Sequence, residues 1–183
     1  MIFQAKRETQ AYLEDLASKG KITYTFIFTG LFFTLDLPYP FAGIDYKNRK
    51  GSVIGTGNEL FSLTHLDDIG AFTAAVLKKP EETKNKVIRI AAENTTANDI
   101  IAKFESQTGE KFDITYRPAE KVEAEIAEAL KSQNYGVYFA NAIGLFTGTG
   151  VHSTLWEDLI SSAFNLINLL PYNILLSFWI LTL

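Results

Sequence analysis

The chain contains no cysteine. That excludes disulfides, thiolate zinc sites and cysteine nucleophiles, and it suits a reducing compartment, so a cytoplasmic location is expected. Histidine is scarce. His65 and His152 are the two present, and neither stands at metal-ligand spacing from a second histidine or a carboxylate, so no metal centre is expected. There is no G-x-S-x-G elbow, which leaves a serine hydrolase without support. No cationic excess exists either. The net charge is -4 and basic residues are interspersed with acidic ones, so direct binding of nucleic acid is not expected. The first ten residues, MIFQAKRETQ, turn charged at once and form no apolar h-region, so no secretory signal is read there. What the chain does have is ordinary for a folded domain: 183 residues, 47% hydrophobic and 21% charged, enough for one substantial core.

Ile22 to Phe33, ITYTFIFTGLFF, organises the rest. It is β-branched and aromatic, without polar alternation, and too short to cross a membrane. Such a run predicts a strand buried on both faces, as in a parallel sheet. Gly30 interrupts it near the carboxyl end, the side on which open α/β sheets bind ligands, and a glycine there lets a ligand or another backbone approach. A helix is predicted before it, from about Phe3 to Ser18, with Ala5, Thr9, Tyr12, Leu13 and Leu16 on one face. Lys6 sits at the margin of that face, where a lysine buries its stem and keeps its ammonium at the surface.

Downstream, Asp36 to Arg49 is a Pro-, Gly- and Tyr-containing loop, long enough to be a lid or binding loop. Val53-Ile54, a Gly55-Thr56-Gly57-Asn58 turn and Leu60 to Leu63 predict a β-hairpin. Asp67 or Asp68 is expected to cap a helix over Ile69 to Lys79 with Ile69, Phe72, Val76 and Leu77 inward, ended by Pro80. A strand follows at Lys86 to Ala91. Thr96 and Asp99 form a capping box for a helix running to Thr108, with Ile100, Ile101 and Phe104 inward and Gly109 as its stop. Phe112 to Tyr116 alternates as a strand, and Pro118 opens a helix with Val122, Ile126, Ala129 and Leu130 inward. Alternation of strands and helices means α/β. The glycine pairs Gly55/Gly57 and Gly148/Gly150 lack the third glycine and the strand-to-helix setting of a dinucleotide fingerprint, so turns explain both.

The order of these pieces resembles the NmrA-like and isoflavone-reductase-like family of atypical short-chain dehydrogenases. The residues that carry it are Ala5-Lys6 at a helix start, Tyr24-Thr25, Gly30 with Phe32-Phe33, Ile54-Gly55-x-Gly57-Asn58, Asp67-Asp68-Ile69-Gly70, Pro80, Asn85-Lys86 and Glu105-x-x-Thr108-Gly109. The resemblance covers about Phe3 to Leu130. It implies a Rossmann-type NAD(P)-binding fold, NADP or NAD as cofactor, and a small-molecule substrate or, in regulators of this kind, a partner protein. It implies that Lys6 stands where the reductases of the family keep their catalytic lysine and also binds cofactor. It also implies that Thr29, Gly30, Leu31 and Phe32 line the nicotinamide end. A lysine there holds a ribose hydroxyl and assists proton transfer when burial lowers its pKa. The Y-x-x-x-K pair of the wider superfamily is absent, since Ile2 takes the tyrosine position.

The glycine-rich first strand-turn-helix of the family is missing from these residues. The expectation is therefore the C-terminal part of a Rossmann-type fold without its nucleotide-binding half: a truncated reductase relative, inactive alone, or a non-catalytic dinucleotide-sensing regulator. The expected division is a partial domain at 1–133, a Gly- and aromatic-rich connection at 134–158 and an apolar, helical tail at 159–183. The tail holds 25 residues without charge. Its length permits a membrane anchor, but Asn165, Asn168, Pro171 and Asn173 interrupt it and no Lys or Arg follows Lys131, so the anchor is not favoured.

Overall fold

The computed structural model describes residues 4–33 and 42–150. The first part of the predicted lid, through Phe41, and the whole apolar tail lie outside the described residues. In chain order the elements are α1 (Gln4–Ser18), β1 (Thr25–Phe28), β2 (Leu31–Phe33), β3 (Ile44–Asp45), β4 (Lys50–Ile54), β5 (Phe61–His65), α2 (Leu66–Leu77), α3 (Pro80–Thr83), β6 (Lys86–Arg89), β7 (Glu93–Thr95), α4 (Ala97–Thr108), β8 (Asp113–Arg117), α5 (Ala119–Lys131) and α6 (Tyr135–Thr149). The alternation is that of an α/β protein. The described chain divides into two compact units, one built from residues 4–33 and 63–93 and the other from residues 42–62 and 94–150.

In the first unit the organising run is two strands rather than one. β1 pairs in parallel with β6, from Thr25 opposite Lys86 to Phe28 opposite Arg89. The chain then breaks at Thr29-Gly30, and β2 pairs in parallel with β5, Leu31 opposite Leu63 and Phe33 opposite His65. The run is also less buried than its composition predicts: Phe28 is 42% and Phe32 54% exposed. One face of the β1–β6 pair is packed by α2, whose Phe72, Ala75 and Val76 close on Ile88 and Ile90, with Ile27 and Ile69 at the margin. Leu77, expected inward, is exposed. The helix starts one turn earlier than the aspartates suggest. His65 is its N-cap, and its Nδ1 accepts from the Asp67 amide at 3.3 Å. The aspartates occupy the first turn, where they complement the helix dipole.

In the second unit the hairpin lies one strand earlier than predicted. β3 and β4 pair antiparallel, Ile44 opposite Gly51, across a turn in which the Asp45 carboxylate accepts from the Asn48 amide and side chain. Those bonds hold the Asp45 carboxyl below its usual range. β4 pairs on its other edge with β8 in parallel, Lys50 opposite Asp113 to Ile54 opposite Arg117. β4 and β5 do not pair, because the polar groups of the intervening glycine loop are engaged elsewhere. α4 matches expectation closely. The Thr96 hydroxyl accepts from the Asp99 amide, and Gly109 stops the helix in a left-handed conformation. Just before this cap, Asn94 accepts from the Ser62 hydroxyl at 2.6 Å.

Residues 135–149, read from sequence as part of a connection, form a helix capped by the Asn134 side chain, which accepts from the Val137 amide. α5 and α6 are tied together and to β8 by a three-residue polar cluster. Arg117 pairs with Glu125 and donates to Asn141 at 3.2 Å, and Asn141 donates to Glu125 at 3.1 Å. The hydrogen bond from Arg117 holds the Glu125 carboxyl below its ordinary value. α6 lies on β4 through glycines: a Cβ on Gly148 would stand 2.4 Å from the Ile54 carbonyl oxygen, whereas one on Gly144 would meet only the tip of the Ile54 side chain at 2.6 Å. Gly148→Ala should therefore destabilise by about 1–3 kcal/mol, because backbone cannot yield as a side chain does. Gly136→Ala, with its nearest neighbour at 3.8 Å, should be neutral or stabilise by about 0.5 kcal/mol. Urea unfolding of the two variants checks the contrast, and equal effects would contradict the packing described.

Candidate nicotinamide-end corner and the glycine loop

The corner at Thr29 to Phe32 is made by a change of partner. β1 and β6 end level with one another, and the backbone continues on both sides toward β5. The Ile90 amide still donates to the Phe28 carbonyl at 2.8 Å, but the Ala92 amide donates to the Leu63 carbonyl of β5, also at 2.8 Å. The other chain makes the same crossing through Thr29 and Gly30. Gly30 takes φ +63°, a left-handed conformation that costs an L-residue about 1 kcal/mol or more. The Thr29 hydroxyl turns onto the Gly30 carbonyl at 3.2 Å. Thr64, fully buried on β5, directs its hydroxyl to the Thr29 carbonyl at 2.5 Å and lies 3.4 Å from the Ile90 carbonyl.

Around this corner the surface is aromatic. Phe28 and Phe32 are both exposed, and the Arg89 guanidinium lies 5.9 Å over the Phe28 ring. Phe28 and Arg89 stand at the carboxyl ends of the parallel β1 and β6, the ligand-binding side of open α/β sheets, and Phe32 follows within β2. A backbone without a side chain beside an exposed apolar plane can take a flat, weakly polar ring. Of the five residues singled out from sequence, Thr29, Gly30, Leu31 and Phe32 form this corner. Lys6 lies in the first turn of α1 and is exposed. In the first turn of α2, Asp68 is buried. Burial pushes its carboxyl up, partly countered by His65.

The second unit has its own glycine-rich loop after β4, and the loop answers its own anion. The Thr56 amide donates to Glu59 at 2.9 Å and the Gly57 amide at 2.9 Å, with the Thr56 hydroxyl also at 2.9 Å. Partial burial pushes the Glu59 carboxyl up, but these donors outweigh it and hold the group below its ordinary value of 4.5. Asn98 closes the loop from α4. Its amide donates to the Gly57 carbonyl at 2.9 Å, its side chain to Asn58 at 2.8 Å, and Tyr116 donates to it at 2.7 Å. The backbone donors that a phosphate would need are already taken. Gly150 caps α6 in the left-handed conformation. Neither glycine pair is a nucleotide turn. Among the described residues no cluster of metal-ligating side chains occurs, and no helix is long and apolar enough to cross a membrane.

The sequence profile of the NmrA-like family matches residues 1–154. The chain belongs to the NmrA-like family. An isoflavone reductase homolog of Solanum tuberosum is 28% identical over 139 residues, which are 73% of this chain and 44% of that protein. Oxidoreductase poxI of Penicillium oxalicum is 27% identical over 104 residues, 53% of this chain and 32% of that one. The chain thus spans less than half the length of these curated relatives. Among solved structures, that of an isoflavone reductase superposes with a TM-score of 0.62 at 22% identity, over 84% of this chain and 50% of the other. The leucoanthocyanidin reductase–NADPH complex from Vitis vinifera also gives 0.62, at 18% identity over 85% and 49%. At these identities the superpositions establish the fold: this NmrA-like chain has the architecture of about half of a Rossmann-like reductase.

The glycine loop yields a pH test. The Glu59 carboxyl is depressed in the folded state, so its stabilisation is fully present above the unfolded value and is lost as pH falls through the folded one. The stability advantage of the wild-type NmrA-like chain over Glu59→Gln should be constant above about pH 6 and shrink between about pH 5 and pH 3. Urea midpoints at several pH values measure it, and an advantage that grows on acidification would contradict the loop geometry.

Proposed function

We propose that this chain carries the nicotinamide end of an NAD(P)H-dependent reductase site, built on Thr29, Gly30, Leu31 and Phe32, with Lys6 as the catalytic lysine and a small aromatic molecule as substrate. The observation that supports it best is the left-handed break at Gly30, just past the carboxyl end of β1 where it pairs with β6, beside exposed Phe28 and Phe32. The family relationship and the NADPH held by the leucoanthocyanidin reductase relative add support.

The residues fit such a cofactor. Gly30 leaves its backbone open, and Phe32 offers a flat apolar surface on which a ring stacks. Bound there, NADPH would supply the hydride. Lys6 would hold a ribose hydroxyl and deliver a proton to the substrate atom that gains negative charge. The aromatic surface would keep water from that atom and so strengthen the lysine's electrostatic effect.

Affinity is a separate matter from geometry. The sequence holds no G-x-G-x-x-G turn, and a pyrophosphate normally gains much of its binding from such a helix N-terminus. The residues 1–183 should therefore bind NADPH with a dissociation constant weaker than about 100 μM, measured by calorimetry. With an isoflavone as acceptor, Lys6→Ala should lower NADPH oxidation by about a hundredfold or more and weaken NADPH binding by about tenfold through loss of the ribose hydrogen bond. Unchanged turnover would remove Lys6 from catalysis. NADPH binding without any hydride transfer in the wild type would favour the dinucleotide-sensing regulator instead.

A further inference from the structure

We propose that Thr64 is the positioning residue of the Thr29–Phe32 corner, its one buried hydroxyl proton fixing the backbone where both crossing chains leave the β1–β6 pair. The significance of that corner for a cofactor rests on the function proposed above; the role of Thr64 in shaping it does not.

Three observations carry the inference. Thr64 is 0% exposed, so its hydroxyl has to be satisfied by protein. It reaches two carbonyls that belong to the two crossings, Thr29 at 2.5 Å and Ile90 at 3.4 Å. A threonine hydroxyl has one proton, and the shorter distance assigns it to Thr29, the residue preceding the left-handed Gly30. The backbone of β5 guides the same region: the Leu63 carbonyl takes the Ala92 amide, and Phe32 pairs opposite Thr64 itself. The hydroxyl therefore holds the last carbonyl before the break from the strand that receives the chain after it. Without that bond the Thr29 carbonyl, turned inward, has no donor, and the least costly response is rotation of the Thr29-Gly30 peptide. Such a rotation moves Leu31 and Phe32.

Thr64→Val keeps the shape and removes the proton; Thr64→Ser keeps the proton and removes the methyl. Amide hydrogen exchange, corrected for global stability, should accelerate by about tenfold at residues 30–33 in Thr64→Val, with Phe72 to Val76 of α2 unchanged. Thr64→Ser should restore protection at the corner even though it loses packing. Equal acceleration in both segments would show a merely structural threonine and overturn the proposal, as would wild-type exchange at residues 30–33 in Thr64→Val. Should the valine variant fail to fold, the serine variant decides: a corner unprotected despite its hydroxyl overturns the proposal. NADPH titration of the same proteins by NMR tests the reading it rests on. A dissociation constant about tenfold weaker in Thr64→Val and unchanged in Thr64→Ser supports both. An exchange effect with no NADPH bound by the wild type leaves Thr64 as the positioning residue and removes the cofactor reading.

Discussion

The first unit depends on a change of strand partner that the chain completes within two residues. Thr29 ends the pairing of β1 with β6, and Leu31 begins the pairing of β2 with β5. A backbone can turn that sharply only where one residue enters the left-handed region, and Gly30 is the residue that does so cheaply. The turn also creates a satisfaction problem, because the Thr29 carbonyl is left without a ladder partner inside the protein. Thr64 meets it from the neighbouring strand. The aromatic side chains flanking the turn then face outward by the alternation of strands, not by an excess of hydrophobic residues.

The second unit shows the opposite use of glycine. Gly55 and Gly57 adopt left-handed conformations, as phosphate-binding loops do, yet the Gly57 amide donates to the chain's own Glu59 and the Gly55 amide to the Arg117 carbonyl. Gly148 and Gly144 serve closeness instead, bringing α6 onto β4. Glycines alike in sequence therefore serve different physical roles, and only what surrounds each in the fold distinguishes them.

Much of this was legible in the residues. Thr96, Asp99 and Gly109 mark α4 because capping is local chemistry. Phe72, Val76, Ile100 and Val122 were inward as their spacing required. The family emerged from weak pieces in the right order. The misreadings share a cause: they needed information about pairing. Ile22 to Phe33 has one composition whether it forms one strand or two, and only the partners β6 and β5 separate them. The β4–β5 hairpin failed because Glu59, near in sequence, takes the Thr56 and Gly57 amides, and Asn98, far off on α4, takes the Gly57 carbonyl. α6 was obscured by glycines that read as breakers but are spent on close packing. His65 gives no signal as a cap because imidazole seldom serves as one, and Thr64 carries none beyond being a threonine inside a strand.

Under the proposed function, a dinucleotide meets this chain at the partner switch at Gly30 and not at the glycine loop after β4. An NMR titration of isotope-labelled protein with NADPH tests it directly. The account predicts that amide shifts concentrate at Gly30, Leu31, Phe32 and Phe33, with Thr56 and Gly57 unmoved because their donors are held by Glu59. Shifts centred on Gly55 to Asn58, with the Gly30 corner silent, would contradict it.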